Sequence, residues 1–217
     1  MFNFKQLWYL TIGVLLLIVV SIFFIDQPLS MFIDQHGKFL QRVFSDLTAY
    51  TEIAVGYPVS KYLGGAVVLV VGLIFWVIDR RFARAKYFVF ISLTHLTSRF
   101  VVTLLKNVFQ RSRPSHFLDT QEYGNTFGMM GGESFPSGHV AHFLGLFLPI
   151  VVLFPRIWIL LLIVPTYISL GRIILNLHYL SDILASVYIV IVCTSIFGYL
   201  LNIIPGRGVP YLSEEAQ

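Results

Sequence analysis

Charged residues are scarce in this sequence. Only 12% of its 217 residues are Asp, Glu, Lys or Arg, whereas 57% are hydrophobic and the mean hydropathy is +0.80. An ordinary soluble domain is roughly 25% charged and about 45–50% apolar. A chain with so little charge cannot cover a surface that faces water, which excludes a soluble globular enzyme and a disordered chain.

Cysteine is almost absent as well. The single cysteine, Cys193, lies inside an apolar run. One cysteine cannot form an internal disulfide, and no spacing of Cys and His resembles a zinc site. These absences exclude a disulfide-stapled secreted domain and predict that no zinc is bound.

The basic residues show no pattern typical of nucleic-acid binding. The formal net charge is +4 and the pI is about 9.2, which in a soluble protein would favour nucleic acid as a partner. Here most Lys and Arg residues lie at the ends of apolar segments, and no basic stripe carries interleaved aromatic residues. We therefore expect no nucleic-acid partner.

Long apolar runs are abundant, and they predict an all-α, polytopic membrane bundle. Six spanning helices of roughly 20 residues each would use about 120 residues, close to the apolar count. The first run resembles a signal peptide, but it is too long for an h-region and no A-x-A site follows, so we interpret it as an uncleaved helix. We predict one domain over residues 1–217. The predicted spans cover residues 6–25, 59–78, 87–109, 138–154, 157–175 and 183–204.

The connector of residues 26–59 and the loops between spans predict the orientation of the bundle. The connector has an amphipathic pattern, at Phe32, Phe39, Leu40 and Phe44, that predicts an interfacial helix. A basic cluster at Arg80, Arg81, Arg84 and Lys86 predicts a cytoplasmic loop, and six spans then place both termini in the cytoplasm. Four basic residues remain on the outer side against this trend, and they are candidates for function: Lys106, Arg111, Arg113 and Arg172.

Three short polar segments lie at predicted outer helix ends, at residues 106–114, 136–139 and 172–182. They come from three different connections at one membrane face, so their side chains can converge in one pocket. Lys106, Arg113 and Arg172 bring positive charge with little acid nearby, which suits a phosphate group.

The second segment opens a helix and adds backbone donors to this positive charge. The N–H groups at Ser137 and Gly138 point at an anion, aided by the helix dipole. Gly138 also lets the backbone approach a ligand closely.

Two histidines and one carboxylate complete a catalytic pattern. His178 and Asp182 are spaced i, i+4, so one helical turn places them side by side. A carboxylate that fixes one imidazole nitrogen leaves the other free to attack. His139, from another helix, can protonate a leaving oxygen. Phosphoryl transfer needs mainly positioning and charge stabilisation, which these side chains can supply without a metal.

These three segments resemble the type 2 phosphatidic acid phosphatase (PAP2) family, which shares its core with vanadium haloperoxidases. The family pattern is K-x6-R-P, P-S-G-H and S-R-x5-H-x3-D, and it is matched throughout except that Gly171 replaces the serine. The resemblance implies a six-helix bundle with an outward-facing site and no metal or other cofactor. It implies a phosphohistidine on His178, support from Asp182, and His139 as the acid for the leaving alcohol. The implied phosphate-binding residues are Lys106, Arg113, Ser137, Gly138 and Arg172.

Two further arginines are candidates for secondary substrate contacts. Arg99 lies inside the third span, on the face of Lys106 and about 10 Å deeper, with His95 one further turn below. Because a charge inside a membrane is costly, we hypothesise that Arg99 meets a second phosphate or polar headgroup. The alternative is a structural bond to neighbouring carbonyls. For Arg111 the alternative to substrate contact is a solvated loop.

Together these features predict a lipid phosphatase of the bacterial inner membrane, with its site on the periplasmic side. The expected partners are the bilayer and a lipid phosphate, with no obligatory protein partner. Substrates implied by the resemblance are undecaprenyl diphosphate, lipid A phosphate, phosphatidylglycerophosphate and phosphatidic acid. A lipid phosphotransferase is one alternative. A transporter of an anionic lipid or phosphate is another, although no inverted repeat or pair of broken helices is present.

Overall fold

The computed structural model describes residues 4–54, 57–79, 82–120, 126–128 and 131–203, and these residues contain helices and no strand. The predicted all-α class is therefore confirmed. Arg80 and Arg81 of the predicted cytoplasmic cluster lie outside the described residues. The helices are α1 Phe4–Val20, α2 Asp26–His36, α3 Lys38–Ala54, α4 Leu63–Asp79, α5 Phe82–Phe109, α6 Pro114–Thr120, α7 Gly138–Leu153, α8 Trp158–Ile174 and α9 Leu180–Leu200.

Four helical segments are long and apolar enough to cross a membrane. They are Tyr9–His36, Ala85–Thr120, Pro155–Ile174 and Leu180–Leu200. Two further apolar helices, Leu63–Ile78 and Gly138–Leu153, are shorter than a full span requires. Each predicted span overlaps a described helix, but the count of six spanning helices stays a prediction.

The first helix is longer than the sequence predicts. A π-helical turn at Ser21–Ile25 joins α1 directly to α2, so the chain stays helical well into the predicted connector. The hydrophobic run ended at Asp26 in the prediction because a carboxylate normally marks the water boundary. In the structure Asp26 is buried and pairs with Arg111, which lets the helix continue past it.

The apolar residues of helix α3 differ in their surroundings. Phe44 stacks on Tyr167 of α8, with ring centroids 4.8 Å apart. Nearer the start of the helix, Phe39, Leu40 and Val43 are exposed. The predicted amphipathic helix is therefore present, and its position at a membrane interface stays a prediction.

Three central helices, α5, α7 and α9, hold the core together. Val102 of α5, Ala141 of α7 and Val190 of α9 belong to one buried cluster. Helix α1 packs against α9, α4 packs against α5, and α8 packs against α7. This order places the end of α5 beside the starts of α7 and α9, which are the positions of the three polar segments.

Candidate active site

Backbone and side-chain hydrogen bonds tie the beginnings of α7 and α9 together. The N–H of Ser137, just before α7, donates to the carbonyl of Asp182 over 3.0 Å. The hydroxyl of Ser186 donates to the carbonyl of Ser137 over 2.7 Å. Asp182 takes part in the first of these bonds, and His139 lies two residues after Ser137. The bonds therefore bring together the second and third of the polar segments that the sequence predicts to converge.

His178 and Asp182 form the predicted neighbouring pair. Nδ1 of His178 lies 3.5 Å from Oδ2 of Asp182, at the outer limit of a hydrogen bond. The same carboxylate oxygen accepts the hydroxyl of Ser134 at 2.5 Å and the N–H of Tyr179 at 2.8 Å. These donors fix the carboxylate beside the ring, and Nδ1 of His178 completes no hydrogen bond among the described residues.

The environment of His178 favours its neutral form. Burial lowers the pKa of His178 from 6.5 to about 4, although Asp182 acts in the opposite direction. Desolvation penalises the charged imidazolium more than one carboxylate can compensate. At neutral pH the ring is therefore uncharged, which is the state that a nitrogen nucleophile requires.

Arg111 is deeply buried and supports the pair from behind. Its Nη1 donates to Oδ1 of Asp182 at 2.6 Å, and its Nη2 donates to Oδ2 of Asp26 at 2.8 Å. Its Nε donates to the hydroxyl of Thr126, and the guanidinium lies 4.1 Å from the ring centroid of Tyr179. The expectation of a solvated loop is wrong for this residue, and its donors meet protein acceptors rather than an open pocket.

Asp26 was not predicted as part of the site. It accepts the N–H of Ser181 at 3.0 Å as well as the guanidinium of Arg111. The sequence marks Asp26 only by its position at the end of an apolar run, and this position does not predict that Arg111 is its partner. A buried arginine needs carboxylates to compensate its charge, and two of them, Asp26 and Asp182, meet at Arg111.

Two of the three predicted cationic residues, Lys106 and Arg172, are bound to other groups of the protein. Lys106, near the end of α5, donates from Nζ to the carbonyl of Glu133. Arg172, in the last turn of α8, donates from Nη2 to Oε1 of Glu52. Arg113 is exposed.

Glu52 corrects the expectation that little acid lies near the basic residues. It belongs to the end of α3, and its Oε1 also lies 3.1 Å from Nε2 of His139. One carboxylate oxygen thus contacts both a predicted phosphate-binding arginine and the predicted acid. Sequence reasoning missed it because α3 carries no motif and its pattern indicated only an interface.

Arg99 contacts the turn that precedes α7. It is buried and donates from Nη1 to the carbonyl of Gly138. A Cβ at position 138 would lie only 2.6 Å from that nitrogen, so the close approach for which glycine is needed here is that of the arginine. The contact of Arg99 with a neighbouring carbonyl is the structural alternative that the sequence left open. A contact of Arg99 with a second phosphate of the substrate stays a prediction.

Below this turn, two buried histidines pair with each other. Nε2 of His95 lies 3.0 Å from Nδ1 of His142. The ring of Tyr57 lies against His139 at a tilt of 33°, with centroids 4.3 Å apart, and meets His142 edge-on at 4.9 Å. His142 is therefore packed between Tyr57 and His95.

Ser137 has the backbone position expected of a helix cap but no cap bond. Its φ and ψ are −71° and 116°, and its side chain makes no capping hydrogen bond to α7. Its buried hydroxyl has no hydrogen-bond partner among the described residues. A donor left in this way beside the histidines suits a ligand oxygen.

A cavity of about 550 Å³ adjoins the site on the side of Arg113. It is not lined by His139, His178 or Arg172. The residues that line the cavity are Ser112, Arg113, Ser115, His116, Gly128, Gly131, Gly132 and Glu133.

Within the described ranges, no group of three or more His, Cys, Asp or Glu side chains is arranged to hold a metal. The expected metal-free chemistry stays a prediction.

Comparison with known proteins places this arrangement in a family. The family model described as the PAP2 superfamily matches residues 85–203, which include all three polar segments. A lipid A 1-phosphatase of Rhizobium etli is 33% identical over 94 residues, which are 42% of this chain and 40% of that protein. A lipid A 1-phosphatase of Rhizobium johnstonii is 34% identical over 97 residues, 42% of this chain and 38% of that protein.

The match to these two relatives is partial. It spans about two fifths of their length, 40% and 38% respectively. No solved structure matches the chain.

Proposed function

The chain belongs to the PAP2 superfamily, and we propose that it is an integral-membrane lipid phosphatase. The observation that carries this proposal is that His178, beside Asp182, donates its backbone N–H to the carbonyl of Arg172, whose side chain contacts Glu52 together with His139. Nucleophile, acid and cation are the groups that phosphate ester cleavage needs.

In the proposed reaction, Nε2 of His178 attacks phosphorus and the bond from phosphorus to the lipid oxygen breaks. His139 gives its proton to the departing oxygen, which leaves a phosphohistidine and a lipid alcohol. A water then attacks phosphorus while His139 takes its proton, and the bond to His178 breaks to release inorganic phosphate. Asp182 stabilises the charge that develops on the ring of His178.

The remaining predicted residues hold the phosphate during both steps. Positive side chains facing the equatorial oxygens stabilise the charge of the transition state. The N–H of Ser137 does not point at an anion as predicted, because it is bound to the carbonyl of Asp182. Ser137 therefore contributes its unpartnered hydroxyl, and the N–H of Gly138 adds a donor aligned with the helix dipole. We assign these roles to Lys106, Arg113, Arg172, Ser137 and Gly138, and we expect the site to need no metal.

The proposed membrane arrangement has six spans in one domain, with α4 and α7 as its short members. Both termini and the basic cluster at residues 80–86 lie in the cytoplasm, and the site faces the periplasm of a bacterial inner membrane. Exposed apolar residues along the outer helices, such as Leu16, Val70 and Ile159, support a lipid-facing surface. A phosphate site at one end of such a bundle lies at the level of lipid headgroups.

We propose lipid A phosphate as the first substrate to test, because both named relatives are lipid A 1-phosphatases. Undecaprenyl diphosphate, phosphatidylglycerophosphate and phosphatidic acid follow. Purified protein is given each lipid, and inorganic phosphate and the lipid product are measured together. We expect both products from at least one of these lipids and none from His178→Ala. Absence of free phosphate for every lipid would contradict a phosphatase and favour transfer or transport.

A further inference from the structure

Glu52 has a position in the site that the catalytic roles above do not use. It lies at the end of α3, outside the residues 85–203 that the family model matches. Its Oε1 accepts from Nη2 of Arg172 and lies 3.1 Å from Nε2 of His139. The carboxylate is partly exposed, so water or a ligand can reach it.

The two contacts of this carboxylate oxygen are contacts that two oxygens of a phosphate ester need. In the proposed reaction Arg172 holds an equatorial oxygen and Nε2 of His139 faces the leaving oxygen. Carboxylate and phosphate oxygens accept from arginine in the same charge-assisted manner. Two anions cannot share one pair of donors, because like charges at contact distance repel strongly.

We propose that Glu52 is a competing anion built into the site, and that its carboxylate must leave Arg172 and His139 before the phosphate of a substrate binds there. This proposal depends on the proposed function and deepens it, since it makes Glu52 a determinant of substrate affinity. When only a fraction of the protein is competent to bind, the apparent dissociation constant rises by the inverse of that fraction. Glu52 therefore weakens the binding of any phosphate that fails to displace it.

The one residue of this chain that differs from the family motif, Gly171, lies where α3, the helix that carries Glu52, packs on α8. Gly171 stands where the family has serine, directly before Arg172, and α3 packs on it. A Cβ at position 171 would lie 3.0 Å from Cδ1 of Phe44 and 3.2 Å from Oγ1 of Thr48. These distances are tighter than ordinary van der Waals contact, so a serine here would require Phe44 and Thr48 of α3 to shift by a few tenths of an ångström. Glycine permits the close contact of α3 with α8 that accompanies the contact of Glu52 with Arg172.

The first test removes the charge of Glu52. Wild type, Glu52→Gln and the control Asp46→Asn are purified as full chains in lipid nanodiscs. Asp46 lies on the same helix, is exposed, and loses the same charge when changed. For Glu52→Gln we expect KM for the lipid phosphate and Ki for inorganic phosphate to fall about tenfold, with kcat not reduced. Asp46→Asn should leave both constants unchanged.

An unchanged or raised KM in Glu52→Gln would overturn the proposal. So would a lower kcat at constant KM, because that pattern identifies a residue that positions His139. Binding of inorganic phosphate, measured by calorimetry, tests the competition of Glu52 with phosphate separately from the phosphatase activity. If wild type cleaves no lipid phosphate but Glu52→Gln binds phosphate more tightly, the proposed function fails and the competition stands.

A second test leaves the charge in place and changes the packing of α3, and it also serves if Glu52→Gln does not fold. Gly171→Ser restores the residue of the family pattern and should lower KM about threefold by shifting α3 from its position. Gly13→Ala is the matched control, because a Cβ there meets nothing within 4 Å. A raised or unchanged KM in Gly171→Ser would contradict the role of α3. In the double variant with Glu52→Gln, Gly171→Ser should lower KM no further.

Discussion

Two buried arginines near the histidines have partners that differ in exposure. Arg111 is 2% exposed, and its partners Asp26 and Asp182 are both 0% exposed. Arg172 meets Glu52, whose side chain is 21% exposed and is carried by a peripheral helix. Opening a buried pair leaves an uncompensated charge, whereas opening a partly exposed pair has a small free-energy cost. In the proposed mechanism the first arginine therefore fixes the carboxylate beside the proposed nucleophile, and the second can exchange its partner for a phosphate.

The largest effect on kcat is expected at Asp182, which contacts both the buried Arg111 and the ring of His178. Asp182→Asn removes the charge that stabilises the ring of His178, and we expect kcat to fall about 10⁴-fold. Turnover of the preferred lipid phosphate measures it, with Asp46→Asn as the control for charge. Activity close to that of wild type would show that Asp182 only packs against the ring.

A stability measurement compares the two regions directly. Arg111→Gln leaves Asp26 and Asp182 without their counter-charge, and we expect the free energy of unfolding to fall by about 3–5 kcal/mol. Glu52→Gln opens a partly exposed pair and should change it by about 1 kcal/mol or less. Denaturant unfolding in detergent measures both. Equal losses would remove the distinction between a fixed and an exchangeable partner.

The pH dependence of stability separates the regions further. The pKa of His178 is lowered to about 4 in the folded protein, against about 6.5 in the unfolded chain. Between these values the unfolded chain binds more protons, so the contribution of His178 is complete above pH 6.5 and is lost as the pH falls towards 4. Thermal unfolding should show a smaller loss over this window in His178→Gln than in wild type. Identical losses would contradict the burial of a neutral ring.

The smallest expected effect is that of metal removal. Both regions supply positive charge from side chains, so EDTA should leave the turnover of lipid phosphate unchanged. The assay compares EDTA-treated protein with protein supplied with Mg²⁺ or Zn²⁺. Inactivation by EDTA that is reversed by either ion would contradict a site made only of side chains.

The sequence predicted much of this site because its motifs lie at helix ends. The predicted third span, residues 87–109, ends where α5 ends, and the predicted fourth span begins with α7 at Gly138. Hydrophobic length and the position of prolines and glycines suffice for such boundaries. The spacing of His178 and Asp182 is local as well, so a helical period alone predicts that they are neighbours.

What sequence reasoning missed are partners distant along the chain. Asp26 is separated from Ser181 by 155 residues, and Glu52 from Arg172 by 120. Neither carboxylate belongs to a motif, and the packing of α1 on α9 and of α3 on α8 decides where each one lies. The end of the first apolar run was misjudged for the same reason, because a buried ion pair replaces water at Asp26.

The most direct measurement of the central claim is the identity of the phosphorylated residue during turnover. Purified protein is mixed with lipid A phosphate or another lipid that it cleaves, denatured rapidly at alkaline pH, digested and analysed by mass spectrometry. We predict a phosphoryl group on His178, absent from His178→Ala, which should fold and release no phosphate. Full phosphate release by His178→Ala, or a phosphoryl group on another residue, would contradict the account.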